Sequence, residues 1–184
     1  MNIAIYLYDG YYETELCIPA MLFSKGENLF TIASDQEIVT CMDGRRLLID
    51  RQVKDVSAEE IDVLIIPGGH PIPKDDIFEL IRTCEKRGVI IGGICAGVDY
   101  LAYAGILENR KYTSYYKPGE KYDHLPKTGN MTGQMYESDR NVVSAKPEAY
   151  LEFALELFRL ADKLSADAVL GYLDWFKSPN TFRI

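Results

Sequence analysis

Cys95 lies in the run Gly93-Ile94-Cys95-Ala96-Gly97, directly after the apolar stretch Val89 to Ile94 and directly before a helix-like segment that reaches Ala104. A strand that ends in Gly-x-Cys-x-Gly and turns at once into a helix is the sequence form of a nucleophile elbow. Small neighbours let the chain turn sharply and lift the side chain above the sheet. A sulfur at that point faces a helix N-terminus, whose unpaired amides and dipole favour the thiolate, so the spacing predicts a cysteine of raised reactivity. A buried structural cysteine in a glycine-rich turn is the plainer alternative, and the strand-to-helix context favours the reactive one.

Two other stations could serve this sulfur. Pro67-Gly68-Gly69-His70-Pro71 follows the apolar run Val63 to Ile66, and a backbone N–H of its glycines, together with that of Ala96, would make a two-donor oxyanion hole. Read alone, Pro-Gly-Gly is also just a tight turn. Asp9-Gly10-Tyr11-Tyr12-Glu13-Thr14-Glu15 follows the first strand. Carboxylates two positions apart cannot share one helix face, so one of Glu13 and Glu15 can point inward while the other compensates the helix dipole. A buried carboxyl beside sulfur has a raised pKa and donates a hydrogen bond while protonated. The chain has only two histidines. His70 adjoins the candidate oxyanion glycine and is a substitute base, whereas His124, between Asp123 and Leu125, reads as a loop residue.

These stations need a scaffold that brings strand ends together. Asn2 to Tyr8, Leu29 to Ser34, Val63 to Ile66 and Val89 to Ile94 read as strands, and Lys111 to Tyr115 and Asn141 to Ala145 as weaker ones. Helical spacing runs over Glu13 to Lys25, Asp75 to Arg87, from Cys95 to Ala104, from Pro147 through Leu151, Leu155 and Phe158, and over Ala166 to Phe176. Ile38 to Leu48 has a hairpin pattern about Asp43-Gly44, and Tyr116 to Gly133 is a long polar excursion of the kind that lines sites. The alternation predicts a three-layer α/β/α sandwich with a mostly parallel sheet, whose sites collect at the carboxyl ends of the strands.

Composition bounds the function. The 184 residues suit one domain, 1–184, with a C-terminal helical extension at about 166–184. Lys and Arg number 20 against 28 Asp and Glu, a net charge of −8 that opposes nucleic-acid binding. The cysteines at 17, 41, 84 and 95 form no CxxC pair or metal spacing, which suits a reducing cytoplasm without a metal or disulfides. No Walker or dinucleotide loop and no spanning segment is found, so cofactor and membrane are not expected. Leu170, Leu173, Trp175 and Phe176 of the extension need a burial partner at the sheet edge or in a dimer contact.

Tyr-Glu-Thr-Glu at a helix start, Ile-Pro-Gly-Gly after a middle strand and Gly-Ile-Cys-Ala-Gly at the elbow together resemble the ThiJ/PfpI family of the class I glutamine amidotransferase-like superfamily, from Asn2 to about Leu164. The resemblance implies a flavodoxin-like fold, a homodimer, Cys95 as nucleophile, Glu15 as the carboxyl bonded to its sulfur, and Gly69 and Ala96 as oxyanion-hole amides. Family proteases carry His directly after the cysteine, where this chain has Ala96, which argues against proteolysis. Deglycase and glyoxalase-like members keep Ala there but have a strand His that falls on Tyr115. Two readings follow. One is a cysteine-dependent hydrolase, deglycase or glyoxalase-like enzyme on a small carbonyl or amide compound. The other is a non-enzymatic oxidative-stress sensor or chaperone-like protein in which an oxidant converts the same cysteine.

Overall fold

The computed structural model describes residues 1–24 and 26–177. The described residues form eleven strands: β1 (Asn2–Tyr6), β2 (Asn28–Ala33), β3 (Ile38–Thr40), β4 (Arg46–Leu48), β5 (Arg51–Gln52), β6 (Val63–Ile66), β7 (Ile90–Ile94), β8 (Lys111–Tyr112), β9 (Asn130–Met131), β10 (Tyr136–Asp139) and β11 (Val142–Ala145). The helices are α1 (Cys17–Phe23), α2 (Asp75–Lys86), α3 (Gly97–Tyr103), α4 (Tyr150–Leu160) and α5 (Ala166–Lys177). Seven strands form one sheet in the order β10-β11-β7-β6-β1-β2-β5, parallel throughout except for β10 against β11.

The buried runs explain this order. Every residue of β6 is buried, as are four of the five in β7, and a strand covered on both faces must be apolar on both. Gly92 and Gly93 mark how closely the covering layers approach. A Cβ on Gly92 would stand 2.7 Å from Phe153 Cζ of α4, and one on Gly93 would stand 2.8 Å from Leu101 Cδ1 of α3. Consecutive strand residues point to opposite faces, so α4 and α3 lie on opposite sides of β7. Helix α1 packs with α4, where Phe23 meets Phe158 edge-on at 5.0 Å, and α2 packs beside α3. This is the expected three-layer sandwich.

Several elements differ from the sequence expectations. Strand β1 stops at Tyr6. The first helix is not continuous from Glu13: Glu13–Glu15 form a 3-10 turn, Leu16 departs at φ −103°, and α1 then runs Cys17–Phe23. Lys25, expected at its end, lies outside the described residues. The hairpin about Asp43-Gly44 is present as β3 and β4. Lys111 to Tyr115 does not join the main sheet; β8 is limited to Lys111–Tyr112 and pairs with β9, closing the base of the polar excursion. Strands β5 and β10 were not expected. Helix α5 packs on α4, with Lys177 paired to Glu152, while Leu170 stays exposed; residues 178–184 of the expected extension lie outside the described residues. Among the described residues no helix is long and apolar enough to cross a membrane.

Candidate active site

The site forms where the ends of β1, β6 and β7 meet. Cys95, between β7 and α3, has φ +54°, a left-handed conformation that costs a non-glycine residue roughly 1–2 kcal/mol. The turn is held from both sides: Cys95 N–H donates to the Ala145 carbonyl at 2.9 Å, and Val98 N–H donates to the Cys95 carbonyl at 3.2 Å. Gly97 lets α3 begin directly against β6, since a Cβ there would stand 2.1 Å from the Ile66 carbonyl oxygen. That approach sets the Pro67-Gly68-Gly69 loop beside the sulfur.

Gly68 is the floor of the pocket. A Cβ on it would lie 2.5 Å from Cys95 Cβ, 2.8 Å from Sγ and 2.9 Å from Glu15 Oε2, so both side chains rest on its bare face. Glu15 Oε2 accepts from Gly68 N–H at 2.6 Å, and its carboxyl hydrogen-bonds the Cys95 sulfur. Glu13 is turned elsewhere: its Oε2 accepts from Tyr11 O–H at 2.8 Å and lies 3.9 Å from Arg45. The carboxylate that reaches the sulfur is therefore Glu15.

The loops after β1 and β6 are fastened to each other. Tyr12 N–H donates to the Gly68 carbonyl at 2.9 Å and His70 N–H to the Gly10 carbonyl at 3.2 Å, forming an antiparallel bridge between Tyr11 and Gly69. Gly69 adopts φ +144°, and a Cβ there would meet the Gly10 carbonyl oxygen at 2.2 Å. Neither of those bonds uses the Gly69 N–H. The Ala96 N–H does reach the sulfur. Beneath the elbow, Tyr8 O–H donates to the Pro67 carbonyl at 3.0 Å, and Tyr100 packs on Tyr8 and Tyr6 with centroids 5.1 and 5.4 Å away.

Burial sets the protonation of the pair. Glu15 is 4% exposed, and desolvation raises its carboxyl to about 7 against the opposing hydrogen bonds from Gly68 and Cys95. Desolvation, joined by the neighbouring Glu15 charge, pushes the Cys95 thiol up to about 12, although the Ala96 amide pulls it down. This corrects the expectation of a thiolate favoured by the helix start: the amide acts as expected, but burial outweighs it. Neutralising Glu15 removes the repulsion and supplies an O–H donor to the sulfur, so the two groups titrate as a pair.

The histidines sit differently from their sequence roles. His70 is exposed and its ring lies over Gly10, with its Cδ2 3.3 Å from where a Cβ on that residue would be; among the described residues no hydrogen bond joins it to Cys95 or Glu15. His124 is not a free-standing loop residue. Its Nε2 lies 3.2 Å from Asp99 Oδ1, and its ring stacks on Tyr103 at 4.8 Å. Tyr115 O–H donates to the other oxygen of Asp99 at 2.8 Å, and its own oxygen lies 2.6 Å from the Tyr116 hydroxyl. Asp99, in the first turn of α3, carries no local motif that would have singled it out. Among the described residues no group of three or more His, Cys, Asp or Glu could hold a metal ion.

Comparison with known proteins gives the family. The family model described as the DJ-1/PfpI family matches residues 1–160. The chain is 34% identical over 146 residues to the glutathione-independent glyoxalase DJR-1.2 of Caenorhabditis elegans, covering 74% of this chain and 75% of that protein. It is 27% identical over 120 residues to the deglycase PfpI of Pyrococcus furiosus, covering 62% and 72%. The crystal structure of a thiJ/pfpI family protein from Bacillus anthracis superposes with a TM-score of 0.81 at 26% identity, covering 97% of this chain and 92% of that one. With a cysteine elbow, a buried glutamate and a parallel sheet ordered as described, the chain belongs to the DJ-1/PfpI family.

Proposed function

We propose that the protein is a glyoxalase-like or deglycase-like enzyme that acts on small reactive carbonyl compounds through Cys95. The observation that carries this reading is the left-handed Cys95 turn, which sets the sulfur on Gly68 beside the protonatable carboxyl of Glu15. Two relatives named above as a glyoxalase and a deglycase support the same substrate class.

With a 2-oxoaldehyde the chemistry balances without an added oxidant. Glu15 accepts the thiol proton and Sγ adds to the aldehyde carbon. The carbonyl electron pair moves to its oxygen, where the Gly69 and Ala96 N–H groups receive the developing charge. The Glu15 proton then neutralises that oxygen to give a hemithioacetal. Moving the former aldehyde hydrogen to the adjacent carbon, as a proton through an enediol, turns this adduct into a thioester of a 2-hydroxy acid. Water cleaves the thioester, releasing the acid and restoring the thiol.

Incubation with glyoxal or methylglyoxal, without added thiol, is expected to yield glycolate or lactate by NMR. Cys95→Ala should lower the rate by at least about 1,000-fold, as loss of a covalent nucleophile does. Turnover by the Ala variant at the wild-type rate would overturn the reading. A protein that converts neither compound but gains two oxygens at Cys95 under mild peroxide is instead a sensor of oxidation.

A further inference from the structure

Tyr6 and Tyr8 stand two residues apart at the end of the first strand, each 1% exposed, with ring centroids 5.9 Å from each other. A buried phenol needs a partner for its hydroxyl, and a phenylalanine would fill nearly the same space without one. The two hydroxyls go to different places. Tyr6 O–H meets the Ser34 hydroxyl at 3.1 Å, which donates in turn to Asp76 Oδ1 at 2.9 Å. Tyr8 O–H donates to the Pro67 carbonyl at 3.0 Å, directly before the glycine that floors the pocket.

The Pro67 carbonyl and the Gly68 N–H belong to one planar trans peptide, so they point in opposite directions from it. Its N–H side is taken as well: Glu15 Oε2 accepts from Gly68 N–H at 2.6 Å, and the Glu15 carboxyl hydrogen-bonds the Cys95 sulfur. A continuous path therefore runs from the Tyr8 hydroxyl through this peptide and Glu15 to Cys95, and Tyr8, Pro67, Gly68 and Glu15 are all buried. In a low-dielectric interior, hydrogen bonds in series polarise one another. A donor on the carbonyl oxygen draws electron density from the peptide nitrogen and makes its N–H a stronger donor. That N–H favours the ionised form of Glu15. The far end of the same loop is held separately, where the Tyr100 hydroxyl accepts from Ile72 N–H at 2.9 Å.

We propose that Tyr8 is a positioning residue that acts on Glu15 through the Pro67–Gly68 peptide. By donating to the carbonyl it aims and strengthens the N–H that Glu15 accepts, and so favours the carboxylate that takes the Cys95 proton. The inference rests on the reading of Cys95 and Glu15 given above. No proton travels along the path: burial holds the Tyr8 hydroxyl well above its ordinary range, so it stays a donor, and the proton that moves passes from Sγ to Glu15. The other titratable groups around the pair keep their own partners. Asp99 of α3 acts on the sulfur but is bonded to Tyr115 and His124, Tyr100 is bonded to Ile72, and Glu13 is held by Tyr11 and Arg45. Among the described residues none of these bonds uses the Tyr8 oxygen.

Alkylation of Cys95 by iodoacetamide tests this in the full chain without a dicarbonyl, read by mass spectrometry on the Cys95 peptide because Cys17 is exposed too. The wild-type rate should rise through an inflection at about pH 7, the first deprotonation of the Cys95 and Glu15 pair, and Glu15→Gln should abolish that inflection. Tyr8→Phe, which keeps the ring, should move it up by about half a pH unit. At about pH 6 this lowers the rate about threefold, while the high-pH plateau changes less than about twofold. Replacing Tyr8 by 3-fluorotyrosine, a more acidic phenol of nearly the same size, should move the inflection down; this protein keeps every hydrogen bond and decides the matter if the Phe variant folds poorly. Tyr100→Phe frees the loop at Ile72 but leaves the Pro67–Gly68 peptide bonded, and should leave the inflection in place. An inflection unmoved by either change at Tyr8, or moved as far by Tyr100→Phe as by Tyr8→Phe, would overturn the proposal. Wild-type protein that converts no dicarbonyl yet shows these shifts would overturn the glyoxalase-like reading and support the role of Tyr8.

Discussion

At the scale of single residues, Cys95 combines two conflicting demands. Its backbone needs a left-handed conformation that favours glycine, and its chemistry needs a sulfur. The surroundings hold the conformation in place: the Ala145 carbonyl receives its N–H, Gly97 sits under Ile66, and Gly68 leaves room for the side chain. A residue kept at φ +54° against its own preference is the mark of a site where geometry takes precedence over local stability. The cost can be isolated by comparing two variants that both lack sulfur. Cys95→Gly should be more stable than Cys95→Ala by about 1 kcal/mol, because only alanine retains the Cβ that clashes in the left-handed region. Urea unfolding of the two proteins measures this. Equal stability would show that the turn relaxes once the sulfur is gone.

At the scale of elements, packing around β7 decides how the elbow is aimed. Gly92 admits Phe153 and Leu157 of α4 on one face, and Gly93 admits Leu101 of α3 on the other. Gly92→Ala would put a methyl group 2.7 Å from Phe153 Cζ and 2.9 Å from Leu157 Cδ1, an overpacking expected to cost about 1–3 kcal/mol. Shortening the fully buried Phe153 to Leu in the same protein should recover part of that loss, with a coupling of about 1 kcal/mol in a double-mutant cycle followed by urea unfolding. Strict additivity would mean that α4 shifts as a body.

The same elements show what could be read in the sequence. Strands β1, β2, β6 and β7 and helices α2 and α4 announce themselves because each buries a continuous apolar run or stripe, and these suffice to place Cys95 at a strand end. Strand β10, Tyr-Glu-Ser-Asp, has no apolar alternation because it is an edge strand with no residue fully buried. Strand β5 is only two residues long. The helix expected from Glu13 breaks at Leu16, and that break gives Glu15 its own direction toward the sulfur. Within the site, the approach of Glu15 to Cys95 was legible because each residue sits beside a recognisable turn. Gly68 as the floor was not, since its role depends on two side chains arriving from other loops. The link between Asp99 and His124 was not legible either, because it spans the polar excursion and no periodicity records it.

At the scale of the whole molecule, the buried carboxyl of Glu15 ties stability to function. It titrates near 7 in the fold, against about 4.5 in the unfolded chain. Below about 4.5 both states hold the proton. Between 4.5 and 7 the folded state holds a proton that the unfolded state has released, so raising the pH through this window favours unfolding. The difference between those values corresponds to about 3 kcal/mol, present at low pH and lost as the pH rises past 7. Glu15→Gln keeps an acceptor for Gly68 N–H at the site but has no charge to bury. The stability advantage of this variant over the wild type should therefore grow by up to about 3 kcal/mol as the pH rises from about 4.5 to about 8, measured as the difference between two urea titrations. Taking the difference cancels the self-repulsion of the chain's net negative charge, which both proteins share almost equally. A difference that stays flat with pH would mean that Glu15 is already ionised at low pH and is not the acid held against the sulfur. A growing difference would show the fold giving up stability near neutral pH to keep a carboxyl that can exchange its proton with Cys95.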